Sequence, residues 1–177
     1  VLITTRAGKC IRFQGINENG ELEVRHMGRV ARGVRGIKLK DNDEIAGLEM
    51  LENDADMLLL TVTENGYGKR TAIEKYRVQG RGGQGVINMV VDERNGRVVG
   101  SVQVHDEDQL MMMTNTGRVI KIPVTNIRET QSRAAKGVRL MRVEDEERIV
   151  SVTRVVEQEE DLEELPVETV AGEEAVT

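Results

Sequence analysis

Arg32-Gly33-Val34-Arg35-Gly36-Ile37, Arg81-Gly82-Gly83-Gln84-Gly85-Val86 and Arg133-Ala134-Ala135-Lys136-Gly137-Val138 are three versions of one phrase: an arginine, three residues, a glycine and a β-branched residue. The closing glycines lie 49 and 52 residues apart. A period of that size belongs to architectures that stack similar supersecondary units, so the chain reads as an array. The surroundings repeat as well. Upstream of the phrases lie VLITTRAGKCIRF (1–13), MLLLTVTENGYGKRTAI (57–73) and LMMMTNTGRVIKI (110–122), each an apolar run, a tight turn and a second run, which is the pattern of a β-hairpin. Downstream come an acidic turn and a further apolar run, EIAGLEML (44–51), RVVGSVQV (97–104) or RIVSVTRVV (148–156). About four strands per unit make a four-stranded blade. The predicted fold is therefore all-β, a propeller-like partial ring of about three blades over residues 1–156, with units at about 1–51, 57–105 and 110–156.

MLLL and LMMM are apolar at successive positions, which predicts strands covered on both faces, as in the interior of a blade held between neighbours. The first unit is longer because GINENGELE (15–23), with its Asn19-Gly20 turn signal, reads as a loop insertion. Aromatic residues make up 2 % of the 177 and Trp is absent, so the core must be aliphatic, with eight Met as adaptable filler. A single cysteine, Cys10, excludes an internal disulfide and points to a reducing, cytoplasmic compartment. No apolar run reaches the roughly 18 residues of a membrane span. Because the chain opens on Val1 and runs straight into a strand, a piece of a longer polypeptide is expected, with neighbours upstream.

The net charge of −6 conceals a segregation of signs. Residues 157–177 hold nine acids and no base, which leaves the body with 22 acids against 25 bases, a net of +3. Within that body, residues 25–40 carry six cations and no acid, and 41–56 carry seven acids and no cation. Alternation at a regular interval predicts that one rim is basic and another acidic. The acidic tail reads either as a disordered, solubilising extension or as a segment that imitates DNA and competes for the basic rim.

Several motifs are weak on inspection. Gly80-Arg81-Gly82-Gly83-Gln84-Gly85 satisfies the dinucleotide-binding pattern, but a strand follows it where a helix is required, and no Walker sequence is present. Cys10, His26 and His105 are scattered without ligand or triad spacing. Tyr67 and Tyr76 have no accompanying acidic metal cluster, so no catalytic residue, cofactor or metal ligand is assigned. The basic phrases carry more. Duplex DNA offers regularly spaced phosphates that Arg and Lys neutralise with counterion release, and glycine-rich loops bring backbone N–H groups close to an anion. Scarce aromatics argue against single-strand binding, which needs stacking platforms. The alternatives are exposed edges whose cations block edge-to-edge aggregation, and a protein-interaction propeller.

MGRVARGVRGIKL (27–39), QGRGGQGVI (79–87) and SRAAKGVRLMRV (132–143) resemble blades of the C-terminal domain of bacterial DNA gyrase A, over Val1 to about Val156. The order of the units resembles the last three blades of that family. The resemblance implies a β-pinwheel, a propeller-like ring in which neighbouring blades exchange an outer strand and a basic outer rim wraps duplex DNA. The family's box, Q-R-R-G-G-K-G, belongs to its first blade. Gln79–Gly85 is a degenerate relative, with Gly80 in place of Arg and Gln84 in place of Lys. The corresponding C-terminal domain of topoisomerase IV is similar and ranks second. On this resemblance the DNA-contacting rim comprises Arg29, Arg32, Arg35, Lys38, Arg70, Lys75, Arg77, Arg81, Gln84, Arg118, Lys121, Arg128, Arg133, Lys136 and Arg139. It further implies the rest of gyrase A, together with gyrase B, as partners, with ATP and Mg used only by the whole enzyme.

Overall fold

A computed structural model describes residues 1–16, 19–22, 24–40, 42–51 and 56–156. Both readings of the acidic tail, 157–177, fall outside the described residues. Each hairpin turns on Thr-x-x-Gly, at Thr5–Gly8, Thr63–Gly66 and Thr114–Gly117, where the glycine N–H donates to the threonine carbonyl at 3.0, 3.1 and 3.0 Å. The glycines sit at φ of 79°, 81° and 83°, the left-handed residue that closes a type I hairpin turn. These turns join β1 (Leu2–Thr5) to β2 (Lys9–Arg12), β4 (Leu58–Thr63) to β5 (Tyr67–Ala72), and β8 (Gln109–Thr114) to β9 (Val119–Pro123). The runs after the acidic turns form β3 (Ile45–Glu49), β7 (Val98–Val104) and β11 (Ile149–Val155). Two short strands, β6 (Val86–Ile87) and β10 (Val138–Arg139), come from the second and third glycine phrases.

The sheets have the orders β3-β1-β2-β6, β7-β4-β5-β10 and β11-β8-β9, and every pairing is antiparallel. Blade by blade, the strand nearest the middle of the molecule follows the acidic turn, the hairpin comes next, and the outermost strand is lent by the following unit. The exchange that the resemblance implied is present twice. Reading the residues alone had each unit keep its fourth strand. The third sheet accordingly holds three strands among the described residues, and the phrase at Arg32–Ile37 forms none.

Glycine is required where the lent strand arrives. Gly85 has φ +69° and Gly137 φ +77°, and a Cβ on either would collide with the carbonyl oxygen of Cys10 or Gly68 on the receiving strand. The receiving turn makes the same demand: Asn88 and Met89 N–H both donate to the Gly8 carbonyl (2.8 and 3.1 Å), and Leu140 and Met141 do so to Gly66 (2.8 and 3.2 Å). A Cβ on Gly8 or Gly66 would strike the Met89 or Met141 carbonyl, whereas one on Gly117 would meet nothing.

Blade faces stack. Leu2 and Cys10 of the first blade pack on Leu59, Ile73 and Tyr76 of the second, and the second blade's opposite face, with Leu60, Val62 and Val104, packs on Leu110, Met112 and Ile149 of the third. MLLL is therefore covered on both sides, as expected. LMMM is covered fully on one side only, since Met113 is 43 % exposed. The inner strands β3, β7 and β11 run side by side, and Gly100 leaves room for Val152. Within the insertion of the first unit Ile16 and Leu22 pair in an isolated antiparallel bridge, and Gly20 has φ +79°. Among the described residues no helix is long and apolar enough to cross a membrane.

Candidate nucleic-acid interface

The chain reaches the outer edge of each preceding blade twice. After β5 a single 3-10 turn, Ile73–Lys75, directs it outward, and Gln79 N–H bonds the Arg12 carbonyl (2.8 Å) before the chain loops away and returns as β6. After β9 the turn Val124–Asn126 does the same, with Thr130 N–H on the Arg70 carbonyl (2.8 Å) and the return as β10. The second and third glycine phrases begin in the loops between these two visits. Strand exchange therefore sets them outside the blades, where charged side chains stay hydrated.

Arg29, Arg32, Arg35 and Lys38 are exposed on an irregular stretch anchored by buried Ile37. That stretch bonds to the second loop: Gly82 N–H donates to the Gly36 carbonyl (2.7 Å) and Lys38 N–H to the Gly83 carbonyl (2.8 Å). Arg77, Arg81, Gln84 and Arg128 are exposed on the second and third loops. None of Arg29, Arg32, Arg35, Lys38, Arg77, Arg81 and Arg128 forms a salt bridge among the described residues. Lys75 and Lys136 are exposed too, but they pair with Glu74 (3.3 Å) and Asp92 (2.7 Å). Arg133 is half-buried and donates to the Ile87 carbonyl, and Lys121 is exposed on β9. Arg118 is tied to Glu147 (2.5 Å) and to the Arg142 carbonyl (2.7 Å).

Arg70 has a different position. Its side chain turns inward, 9 % exposed, and binds the Ile127 carbonyl and Asp106. Arg12 holds the Ile73 and Tyr76 carbonyls (both 3.1 Å) at the matching place in the first blade. In both blades an arginine of the outer hairpin strand clasps the next unit's 3-10 turn, so Arg70 is engaged in joining blades.

The acidic turns lie against the hairpin turns. Asp43 accepts from Ala7 N–H (2.9 Å), Asn65 donates to the Glu93 carbonyl (3.2 Å) and Asn115 to the Glu146 carbonyl (3.1 Å). Glu147 is only 4 % exposed, and the Glu144 N–H, the Thr114 and Thr116 hydroxyls and Arg118 hold its carboxyl below the usual range. The acidic turns thus brace the hairpin turns, and some of their carboxylates pair with nearby cations, Glu147 with Arg118 and Asp92 with Lys136.

One cluster was not read from the sequence. Arg94 of the 92–96 loop and Arg139 of β10 lie over the Tyr67 ring, 4.8 and 5.3 Å from its centre, and Arg139 also donates to the phenol oxygen through Nη2 (2.7 Å) and Nε (3.2 Å). The Arg94 and Arg139 guanidiniums hold the phenol below the ordinary tyrosine range. Arg142 and Arg148 line the same cleft. No local sequence signal marks it, because Tyr67, Arg94 and Arg139 come from separate elements.

Blades that pass their outer strand to the preceding neighbour, with basic loops at the points of exchange, define a strand-exchanging β-propeller with a cationic outer edge. The family described as "DNA gyrase C-terminal domain, beta-propeller" matches residues 1–52, 58–105 and 108–155, and the chain belongs to it. It is 44 % identical over 161 residues to the DNA gyrase A protein of Salmonella typhimurium, covering 91 % of this chain and 17 % of that protein. For the gyrase A of Haloquadratum walsbyi the identity is 44 % over 152 residues, covering 86 % and 17 %, and for that of Staphylococcus aureus 42 % over 161 residues, covering 91 % and 17 %. The chain therefore spans about a sixth of these relatives. Among solved structures it is similar to the C-terminal domain of DNA topoisomerase IV (TM-score 0.77, 25 % identity, 88 % of this chain and 46 % of that one). It is equally similar to the C-terminal domain of DNA gyrase A (TM-score 0.76, 26 % identity, 88 % and 50 %).

Proposed function

We propose that this chain is a DNA-binding part of a gyrase A protein, gripping the backbone of duplex DNA without reading its sequence and guiding it round a curved path. One observation carries the reading: strand exchange sets the second and third glycine phrases at the outer edges of the preceding blades, the first phrase is hydrogen-bonded to the second, and most of their cations have no carboxylate partner among the described residues. Both solved domains share the fold, so the 42–44 % identity to gyrase A proteins is what favours gyrase over topoisomerase IV. Bending 20–30 base pairs by 40–90° costs on the order of 1–6 kcal/mol. Hydrogen bonds to charged groups contribute roughly 1.5–3 kcal/mol each, so a few phosphate contacts per blade offset the bend. In the whole enzyme, with the rest of gyrase A and with gyrase B, the wrapped duplex is presented with one handedness to an ATP-driven strand-passage step, which introduces negative supercoils. This chain contributes the path of the DNA and no chemistry.

The test is replacement of Arg29, Arg32, Arg35 and Lys38 by Ala, singly and together, with binding to a short duplex of mixed sequence measured by fluorescence anisotropy. Each replacement is expected to weaken binding similarly on unrelated sequences. Undiminished affinity in the fourfold variant contradicts the reading. A partner captured from lysate that persists after nuclease treatment supports the protein-interaction alternative.

A further inference from the structure

We propose that the cleft between Tyr67, Arg94, Arg139, Arg142 and Arg148 binds a phosphoryl oxyanion, and that this oxyanion is a backbone phosphate of the duplex; the second half rests on the function proposed above. The cleft has a volume of about 250 Å³, and four arginines line it together with Asn65, Val143, Glu144 and Asp145. Among the described residues no salt bridge joins any of the four to a carboxylate. Four guanidiniums against the two lining carboxylates of Glu144 and Asp145 leave an excess of positive charge, and an anion between the arginines reduces their repulsion. The guanidinium fork suits the paired oxygens of a phosphate.

The site is held in place before any ligand arrives. Asn95, 1 % exposed, donates to the Val90 (2.7 Å) and Lys136 (3.1 Å) carbonyls, and Asp92 pairs with Lys136 (2.7 Å), which fixes the Arg94 loop to the lent strand. Arg139 is placed over Tyr67 by the β10–β5 register. The phenol oxygen accepts two hydrogen bonds from the Arg139 guanidinium, as one oxygen of an anion would. A packing device of the fold would recur in each blade. At the matching pair in the first blade stand Lys9 and Ile87, so the arrangement belongs to the second blade alone among the described exchanges.

Tyr67 supplies the readout, because an entering oxyanion competes for the guanidiniums that hold its phenol down. The other tyrosine, Tyr76, is fully buried and burial pushes it far up, so it stays silent. Ionisation of Tyr67 in the full chain is followed at 295 nm during pH titration, in sodium chloride and in sodium pyrophosphate of equal ionic strength. Pyrophosphate is expected to raise the midpoint by roughly half a unit or more. The shift should vanish in Arg94→Ala and persist in part in Arg94→Lys. Arg94 lies outside the strands, and a melting curve reports whether each variant folds. The same midpoint is then read with bound duplex, from 13C-labelled tyrosine. Arg94→Ala should weaken duplex binding about tenfold at low salt. A midpoint that pyrophosphate leaves unchanged overturns the site. A response to pyrophosphate but none to bound duplex overturns the assignment to DNA. A response to pyrophosphate in a chain that does not bind duplex supports the anion site while refuting the function proposed above.

Discussion

Lys69 is fully buried beside Arg70 on β5, its Nζ donating to the Thr71 hydroxyl (2.8 Å), and burial pushes its pKa down from 10.5 to about 8. The folded state therefore disfavours the charged form. Below about pH 8 the lysine is protonated in both states and the cost is complete, roughly 3 kcal/mol. Between pH 8 and 10.5 the unfolded chain holds the proton that the folded one has released, so stability rises with pH. Lys69→Met should thus raise the melting temperature at pH 7, and its advantage should fade towards pH 10.5, as read from paired denaturation curves. These buried cations were partly legible. MLLL on β4 implied a blade covered on both faces, and the hairpin partner of such a strand is covered too, which places both Lys69 and Arg70 inside. The resemblance and its own basicity put Arg70 on the rim, because charge says nothing of which face a neighbour occupies.

Each hairpin was visible in its two apolar runs and the tight turn between them, since both signals are local. The exchange of β6 and β10 was not visible in the residues themselves. A two-residue strand pairs through its backbone, and the partner's identity is set by geometry some seventy residues away, as for Arg139 on Tyr67. Family resemblance supplied it. What the phrases did show was glycine, and its necessity differs by place. Gly85→Ala combines a left-handed backbone with a collision against the Cys10 carbonyl, and should cost more than 2 kcal/mol, while Gly117→Ala meets open space and should cost about 1 kcal/mol. Urea denaturation of the two variants measures the difference. Equal losses would mean that the lent strand contributes little to holding the blades together.

Over the whole molecule, the separation of signs was legible in the sequence, but not its cause. Many acids sit in turns that brace the hairpins, and the unpaired cations of the second and third phrases sit where strand exchange sets their loops outside. The Arg94–Tyr67–Arg139 cluster escaped notice because its members come from separate elements. Removing residues 157–177 takes nine negative charges from the chain. Duplex binding should tighten at low salt on field strength alone, with the difference shrinking once the Debye length falls to about 8 Å. The central claim, a rim that grips phosphates, is tested most directly by duplex affinity against salt concentration. If about half of the rim cations engage, log affinity should fall against log salt with a slope of about −6, because each neutralised phosphate contributes roughly −0.9. A flat response would contradict it.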